Sequence, residues 1–213
     1  MGFSLLNLYL CGNIFFMKNL NYPLDFKFKI TTLASDFNIT DRDGKHIAYV
    51  RQKMFKLKED VVVFRDEEKS AELFRIKADR WLDFNASYSI TGADGTNYGK
   101  LTRKGMRSIW KSTYEVYDEN NQHKYTIRED NAWVKFWDGL VGELPVIGWF
   151  TGYFLNPTYS LKDSSGKTLF RLKKMPSLLG RRFQLDKLTE SDEDETLIVL
   201  SYLMMVLLER MRG

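Results

Sequence analysis

The sequence predicts an all-β protein: a closed barrel of twelve strands, built from repeated hairpins and enclosing a C-terminal apolar α-helix. Three observations carry this expectation. A hairpin-like unit recurs five times, residues that tolerate positive φ sit at its centre, and a stretch near the C-terminus is apolar on every face. With 213 residues, 44% hydrophobic and 15% aromatic, and only four prolines, the chain has the composition of a folded domain with a sizeable core.

The recurring unit reads aromatic-x-aliphatic-x-Asp, then a polar turn, then a strand that ends in a basic residue. It runs over Phe37 to Lys53, Tyr88 to Lys104, Tyr114 to Asp130 and Tyr159 to Lys174, with a degenerate copy over Val62 to Lys77. Asp43-Gly44, Asp94-Gly95, Asn120-Asn121 and Ser165-Gly166 supply the left-handed conformations that tight hairpin turns require. Period-two alternation supports strands on either side. Phe74 and Ile76, Tyr125 and Ile127, and Phe170 and Leu172 share one face, while Arg75 and Lys77, Thr126 and Arg128, and Arg171 and Lys173 share the other.

Five hairpins give ten strands, and Phe26 to Thr32 and Arg182 to Lys187 complete twelve. A sheet of that size closes to protect its edges, and the closed barrel leaves a lumen too wide for strand side chains alone. Leu197 to Leu208, LIVLSYLMMVLL, supplies the filling. As a helix it is apolar all round, which requires burial, and its roughly 18 Å fall well short of about 30 Å of membrane hydrocarbon. A core helix over 196–211 is expected. The acidic run Glu190 to Glu195 suits its N-terminus, with Thr189 and Thr196 as candidate caps.

Residues 1–25 form an apolar extension ahead of a single domain spanning 26–213. Met1 to Met17 carries no charge but lacks the basic start and small-residue cleavage site of a signal peptide, and Leu6 stands where myristoylation needs Ser or Thr. Two readings stay open: a membrane anchor, or a chain whose native start is Met17.

An excess of 32 basic over 28 acidic residues is too small for a nucleic-acid-binding protein. Cys11 is the single cysteine, and no Cys/His cluster has metal-ligand spacing, so no disulfide, cofactor or metal is expected and a cytoplasmic location is the simplest reading. His46 and His123 fall beside turns, Asp41, Asp43, Asp118 and Asp163 are accounted for by turn chemistry, and no nucleophile elbow, phosphate loop or dinucleotide fingerprint is present. The acidic run before the helix lacks the glycine and ligand spacing of an EF-hand. An enzyme is not expected.

Two segments stand out as candidate surfaces. Turn positions advance by 26 residues from Gly95 to Asn121 but by 45 from Asn121 to Gly166, so about 19 residues are inserted, and the segment 133–157 is rich in aromatics. Trp149, Phe150, Tyr153 and Phe154 are candidates for membrane or partner contact; the competing reading is a helical lid over Asp138 to Leu144 that closes one end of the barrel. Nearby, Arg171, Lys173, Lys174, Arg181 and Arg182 surround Met175, Leu178 and Leu179, a pattern that suits an anionic lipid surface. A second basic cluster, Arg103, Lys104, Arg107 and Lys111, is mixed with Met106 and Trp110.

Twelve strands in hairpin units followed by LIVLSYLMMVLLERM resemble the tubby C-terminal-like superfamily, which includes LURP-one-related proteins and phospholipid scramblases. The resemblance covers about Phe26 to Arg212. It implies a terminal helix threaded through a closed barrel, and a non-enzymatic binding or scaffold module that meets anionic, phosphoinositide-like lipid at the membrane periphery. A protein-interaction role for the aromatic insertion is the alternative. Scramblase activity is implied least, because no scramblase calcium-binding segment is matched where RFQLDKL runs into TESDEDE.

Overall fold

The computed structural model describes residue 17 and residues 19–29, 36–52, 60–79, 86–104, 113–130, 157–176, 182–190 and 194–210. These residues form β1 (Leu24–Phe28), β2 (Asp36–Thr40), β3 (His46–Gln52), β4 (Asp60–Phe64), β5 (Glu72–Ala78), β6 (Ser87–Gly92), β7 (Asn97–Lys104), β8 (Thr113–Tyr117), β9 (His123–Glu129), β10 (Thr158–Lys162), β11 (Thr168–Met175), β12 (Arg182–Lys187) and one helix, α1 (Glu195–Arg210). Each strand pairs antiparallel with its neighbours in sequence. Strand β1 also pairs with β12, Leu24 opposite Leu185 and Phe26 opposite Phe183, so the sheet closes and leaves no free edge.

The turns form where the sequence places them, and for the stated reason. Gly44, Gly95, Asn121 and Gly166 all adopt positive φ, at 77°, 86°, 63° and 85°. A carboxylate organises most of the loops from within. Asp41 accepts the amides of Asp43 and Lys45, Asp118 those of Asn120 and Gln122, and Asp163 those of Ser165 and Lys167. Asp43 instead accepts from Asn21 Nδ2 at 2.7 Å. The degenerate copy offers no glycine, so Lys69 takes the left-handed conformation at φ 62° while Asp66 accepts the Ser70 amide. Gly99 has a different role, invisible in the repeat. A Cβ there would lie 2.1 Å from the Tyr117 carbonyl oxygen, so only glycine lets β7 approach β8 this closely.

Three boundaries differ from the sequence expectation. Strand β1 spans Leu24–Phe28 rather than Phe26 to Thr32, because Leu24 finds a cross-strand partner in Leu185 and extends the inward series of Phe26 and Phe28 by one rung; residues 30–35 lie outside the described residues. Helix α1 begins at Glu195, and its cap is neither Thr189 nor Thr196. Asp194, the residue just before the first turn, accepts the Leu197 amide at 3.2 Å, while Thr196 is already helical and Thr189 donates to the Thr168 carbonyl.

The barrel encloses α1, as the sequence requires. Every residue from Thr196 to Leu208 is buried, against an inner wall that includes Phe26, Phe37, Ile39, Val50, Val63, Ile76, Ile90, Leu101, Val116, Ile127 and Leu161. Tyr202 reaches the wall's backbone, its hydroxyl 3.3 Å from the carbonyls of both Tyr159 and Phe170, and burial raises its pKa well above the ordinary phenol range. At the start of α1, Lys187 pairs with Glu195, which also accepts the Leu20 amide, and the carboxylate raises the lysine's pKa. Met17 is buried in the core and the Tyr22 ring packs edge-on against Phe170 at 5.6 Å, so residues ahead of β1 contribute to this end of the barrel. Residues 1–16, including Cys11, lie outside the described residues.

Two outcomes follow for α1. Leu203→Asp places a carboxylate at a fully buried position of α1, and a penalty of several kcal/mol is comparable with a typical whole-domain stability of about 5–15 kcal/mol; circular dichroism should show no cooperative thermal transition. Ser201 is fully buried with no hydrogen-bond partner for its hydroxyl among the described residues. Ser201→Ala should therefore be neutral or stabilise by about 1 kcal/mol in urea unfolding, and a loss of more than that would show the hydroxyl to be satisfied.

Candidate functional site

The antiparallel meander sorts the connections by length. The five tight turns lie at the end of the barrel where α1 begins. The strand ends flanking the longer connections (Phe28 and Asp36, Gln52 and Asp60, Ala78 and Ser87, Lys104 and Thr113, Glu129 and Thr158, Met175 and Arg182) lie at the end where α1 finishes. The described strand ends that bound both segments singled out in the sequence, Glu129 and Thr158, Met175 and Arg182, therefore lie at the same end.

Inside that end, the terminal turn of α1 is held by tyrosines. Glu209 accepts from the Tyr114 hydroxyl at 2.5 Å and the Tyr159 hydroxyl at 3.3 Å, and the Arg210 guanidinium lies 4.6 Å from the Phe28 ring centre. Burial, and then the Glu209 charge, drives the Tyr159 pKa far above that of an exposed phenol. Both hydroxyls are hydrogen-bond donors that anchor the helix.

Four of the five basic candidates lie within the described residues, and the register separates them. On the outer wall Arg182 makes a two-pronged contact to Asp25 at 3.0 and 2.7 Å, which raises its pKa; Lys173 sits 3.1 Å from Asp186; and Arg171 sits 3.8 Å from Asp130. Lys174 differs. It shares the inward register of Phe170 and Leu172, opposite Phe183, and has no ion-pair partner among the described residues. Arg181, with Leu178 and Leu179, lies outside the described residues, as do Trp149, Phe150, Tyr153, Phe154 and the proposed lid over Asp138 to Leu144.

What the structure does show is the neighbourhood of the insertion's end. The Pro157 carbonyl accepts the Lys174 amide at 3.1 Å and Thr158 stands opposite Lys173, so the last described residues of the aromatic segment adjoin the basic strand directly. Of the second cluster, Lys104 pairs with Glu115 at 2.9 Å, and Arg103 registers inward opposite Tyr114; Arg107 and Lys111 lie outside the described residues.

His46 and His123 are exposed, their Nε2 atoms 3.1 Å from the Arg65 carbonyl and the Thr126 hydroxyl respectively. Among the described residues no group of acidic, histidine or cysteine side chains has the arrangement of a metal site, and no helix is long and apolar enough to cross a membrane.

The closed twelve-stranded antiparallel barrel around its own C-terminal helix is the architecture that the resemblance to the tubby-like superfamily implies. Residues 46–141 match the LURP-one-related family model, and that family belongs to the tubby-like superfamily, whose members are generally non-enzymatic. The resemblance read from the hairpins and the terminal helix is thus borne out by the family match. Searches of curated proteins and of solved structures found no match.

The Asp25–Arg182 contact spans the seam at which the first and last strands close the barrel. Arg182 and Asp25 are 45% and 24% exposed at the side chain, so solvent screens the pair. A double-mutant cycle with Asp25→Asn and Arg182→Gln, read by urea denaturation, should give a coupling of about 0.5–1 kcal/mol. A coupling near zero would mean that Arg182 is as available to a ligand as an unpaired cation.

Proposed function

We propose that this protein is a non-enzymatic tubby-like binding module that attaches peripherally to anionic, phosphoinositide-like phospholipid through the end of the barrel where α1 finishes. The observation that carries the reading is the junction of Pro157 and Thr158 with Lys173 and Lys174, which sets the last described residue of the aromatic segment beside the basic strand. Tryptophan and tyrosine favour the membrane interface, and cations favour the anionic headgroups beside it.

Magnitudes decide which residues matter. A basic residue near an anionic surface gains about 1 kcal/mol, and an exposed ion pair is worth about 0–1 kcal/mol. Arg171, Lys173 and Arg182 must loosen a carboxylate to meet a headgroup, so their net gain is small. Lys174, with no such partner among the described residues, and the aromatic segment carry the attraction in this reading. The same ion pairing supports a second reading, a protein partner that contacts the aromatic segment, because a surface whose cations are already neutralised has less to offer a lipid.

Sedimentation of the full chain with phosphatidylcholine vesicles, with and without phosphoinositide, at low and moderate salt separates the two. Lipid-dependent binding that weakens with salt, and that falls further for Lys174→Glu than for Arg182→Glu, is the expected result. Absence of binding under every condition, with the fold intact by circular dichroism, would leave the protein-partner reading.

A further inference from the structure

The pairing of β9, β10 and β11 sets three polar residues abreast on the outer wall. Ser160 stands opposite Arg128 on one side and opposite Arg171 on the other. The flanking residues Ile127, Leu161, Phe170 and Leu172 are buried toward the lumen, so these three point outward. Adjacent strands are about 4.8 Å apart, which puts the two arginine backbones about 10 Å from one another with a small residue between them, close enough for both side chains to lean over it.

Ser160 is only 2% exposed although it faces away from the lumen, so neighbouring groups cover it. Its hydroxyl donates to Asp130 Oδ2 at 2.7 Å, Arg171 Nε approaches the same hydroxyl at 3.4 Å, and Arg171 lies 3.8 Å from that carboxylate oxygen. Arg128 is exposed and makes no ion pair among the described residues. An oxyanion, the Asp130 carboxylate, therefore already sits against one guanidinium and a hydroxyl, and Arg128 stands opposite Ser160 in the register of the neighbouring strand. Two planar forks and a hydroxyl are the donor set that oxyanions of phosphorus bind.

We propose that Arg128, Ser160 and Arg171 form a binding site for a phosphomonoester group, and that Asp130 holds the position of one phosphate oxygen until the ligand displaces it. The choice of group follows from the donors. A phosphomonoester brings up to two charges and three oxygens, enough to engage both arginines and the serine together, whereas a carboxylate ligand offers no more than Asp130 supplies from within the chain. Displacement is cheap, because Arg171 and Asp130 are 40% and 33% exposed at the side chain and pairs so exposed are weak. The inference stands apart from the membrane reading: the group occurs on soluble esters and on lipids such as phosphatidic acid, and the test separates these sources.

The test is a nuclear magnetic resonance titration of the full-length chain with glycerol 3-phosphate at constant ionic strength, following the arginine Nε–Hε signals and the Ser160 amide. Saturable shifts at Arg128, Arg171 and Ser160 are expected, with none for acetate. Arg128→Gln or Arg171→Gln should weaken binding by about tenfold, the loss typical of a charge-assisted hydrogen bond. Asp130→Asn should tighten it several-fold. Asp186→Asn, which removes the same charge from beside Lys173, should leave it unchanged. Sedimentation with vesicles containing phosphatidic acid assigns the group to a lipid if Arg128→Gln abolishes binding, and to a soluble ester if the soluble titration saturates without it. Unsaturable shifts with glycerol 3-phosphate, or equal effects of Asp130→Asn and Asp186→Asn, would overturn the site and reduce it to general surface charge, whatever the outcome with phosphoinositide vesicles.

Discussion

Filling the lumen is the constraint on which the rest of this structure depends. Twelve strands closed edge to edge leave no unpaired backbone on the sheet, but they also leave an interior wider than their own side chains can occupy. Helix α1 resolves this by being apolar on every face, so Thr196 to Leu208 can all be buried whichever strand they meet. The helix has no alternative refuge in water, and the barrel has no core without it; the two fold as one unit. Among the described residues the polar contacts of α1 lie at its ends, Asp194, Glu195 and Lys187 at the start and Glu209 with Tyr114 and Tyr159 at the finish, apart from Tyr202, whose hydroxyl meets wall carbonyls.

The meander gives the barrel two unlike ends. Connections within a repeat are tight turns whose geometry is dictated locally, by a residue at positive φ and by carboxylates such as Asp41, Asp118 and Asp163 that accept the loop amides. Connections between repeats carry no such requirement, so they are free to differ in length and composition. On either side of the extra residues between Asp130 and Pro157 the ladder is regular, with Tyr159 in register with Glu129 and Leu172. Variation, and with it binding specificity, is cheap at the end where α1 finishes and costly at the end where it begins.

The outer wall is where opposite charges are brought together by register rather than by sequence proximity. Asp25 and Arg182 lie 157 positions apart and yet share two hydrogen bonds, and the group of Asp130, Ser160 and Arg171 draws on the end of β9 and on two further strands. Such pairs add little stability individually because solvent reaches them. Their effect is on what the surface presents: cations that read as a basic loop along the chain are largely neutralised in the folded protein, and the availability of each is set by its cross-strand neighbour.

Local chemistry by itself determined the hairpins, the four turns centred on Gly44, Gly95, Asn121 and Gly166, strand β12 and the buried helix, because period-two alternation, positive-φ residues and an all-apolar stretch each have a single structural solution over a short range. It also pointed to the family now supported over residues 46–141. The demand for glycine at Gly99 and the earlier start of β1 were decided by cross-strand contacts, with Tyr117 and with Leu185. The same holds for the candidate site. Composition marked Arg171 to Arg182 as basic, but only the closed sheet decided that Arg171, Lys173 and Arg182 face carboxylates, that Lys174 registers inward, and that Arg128 and Ser160 stand beside Arg171. Strand register is a property of the whole sheet, set by the sum of inward-facing contacts around the barrel, and no single segment of the chain contains it.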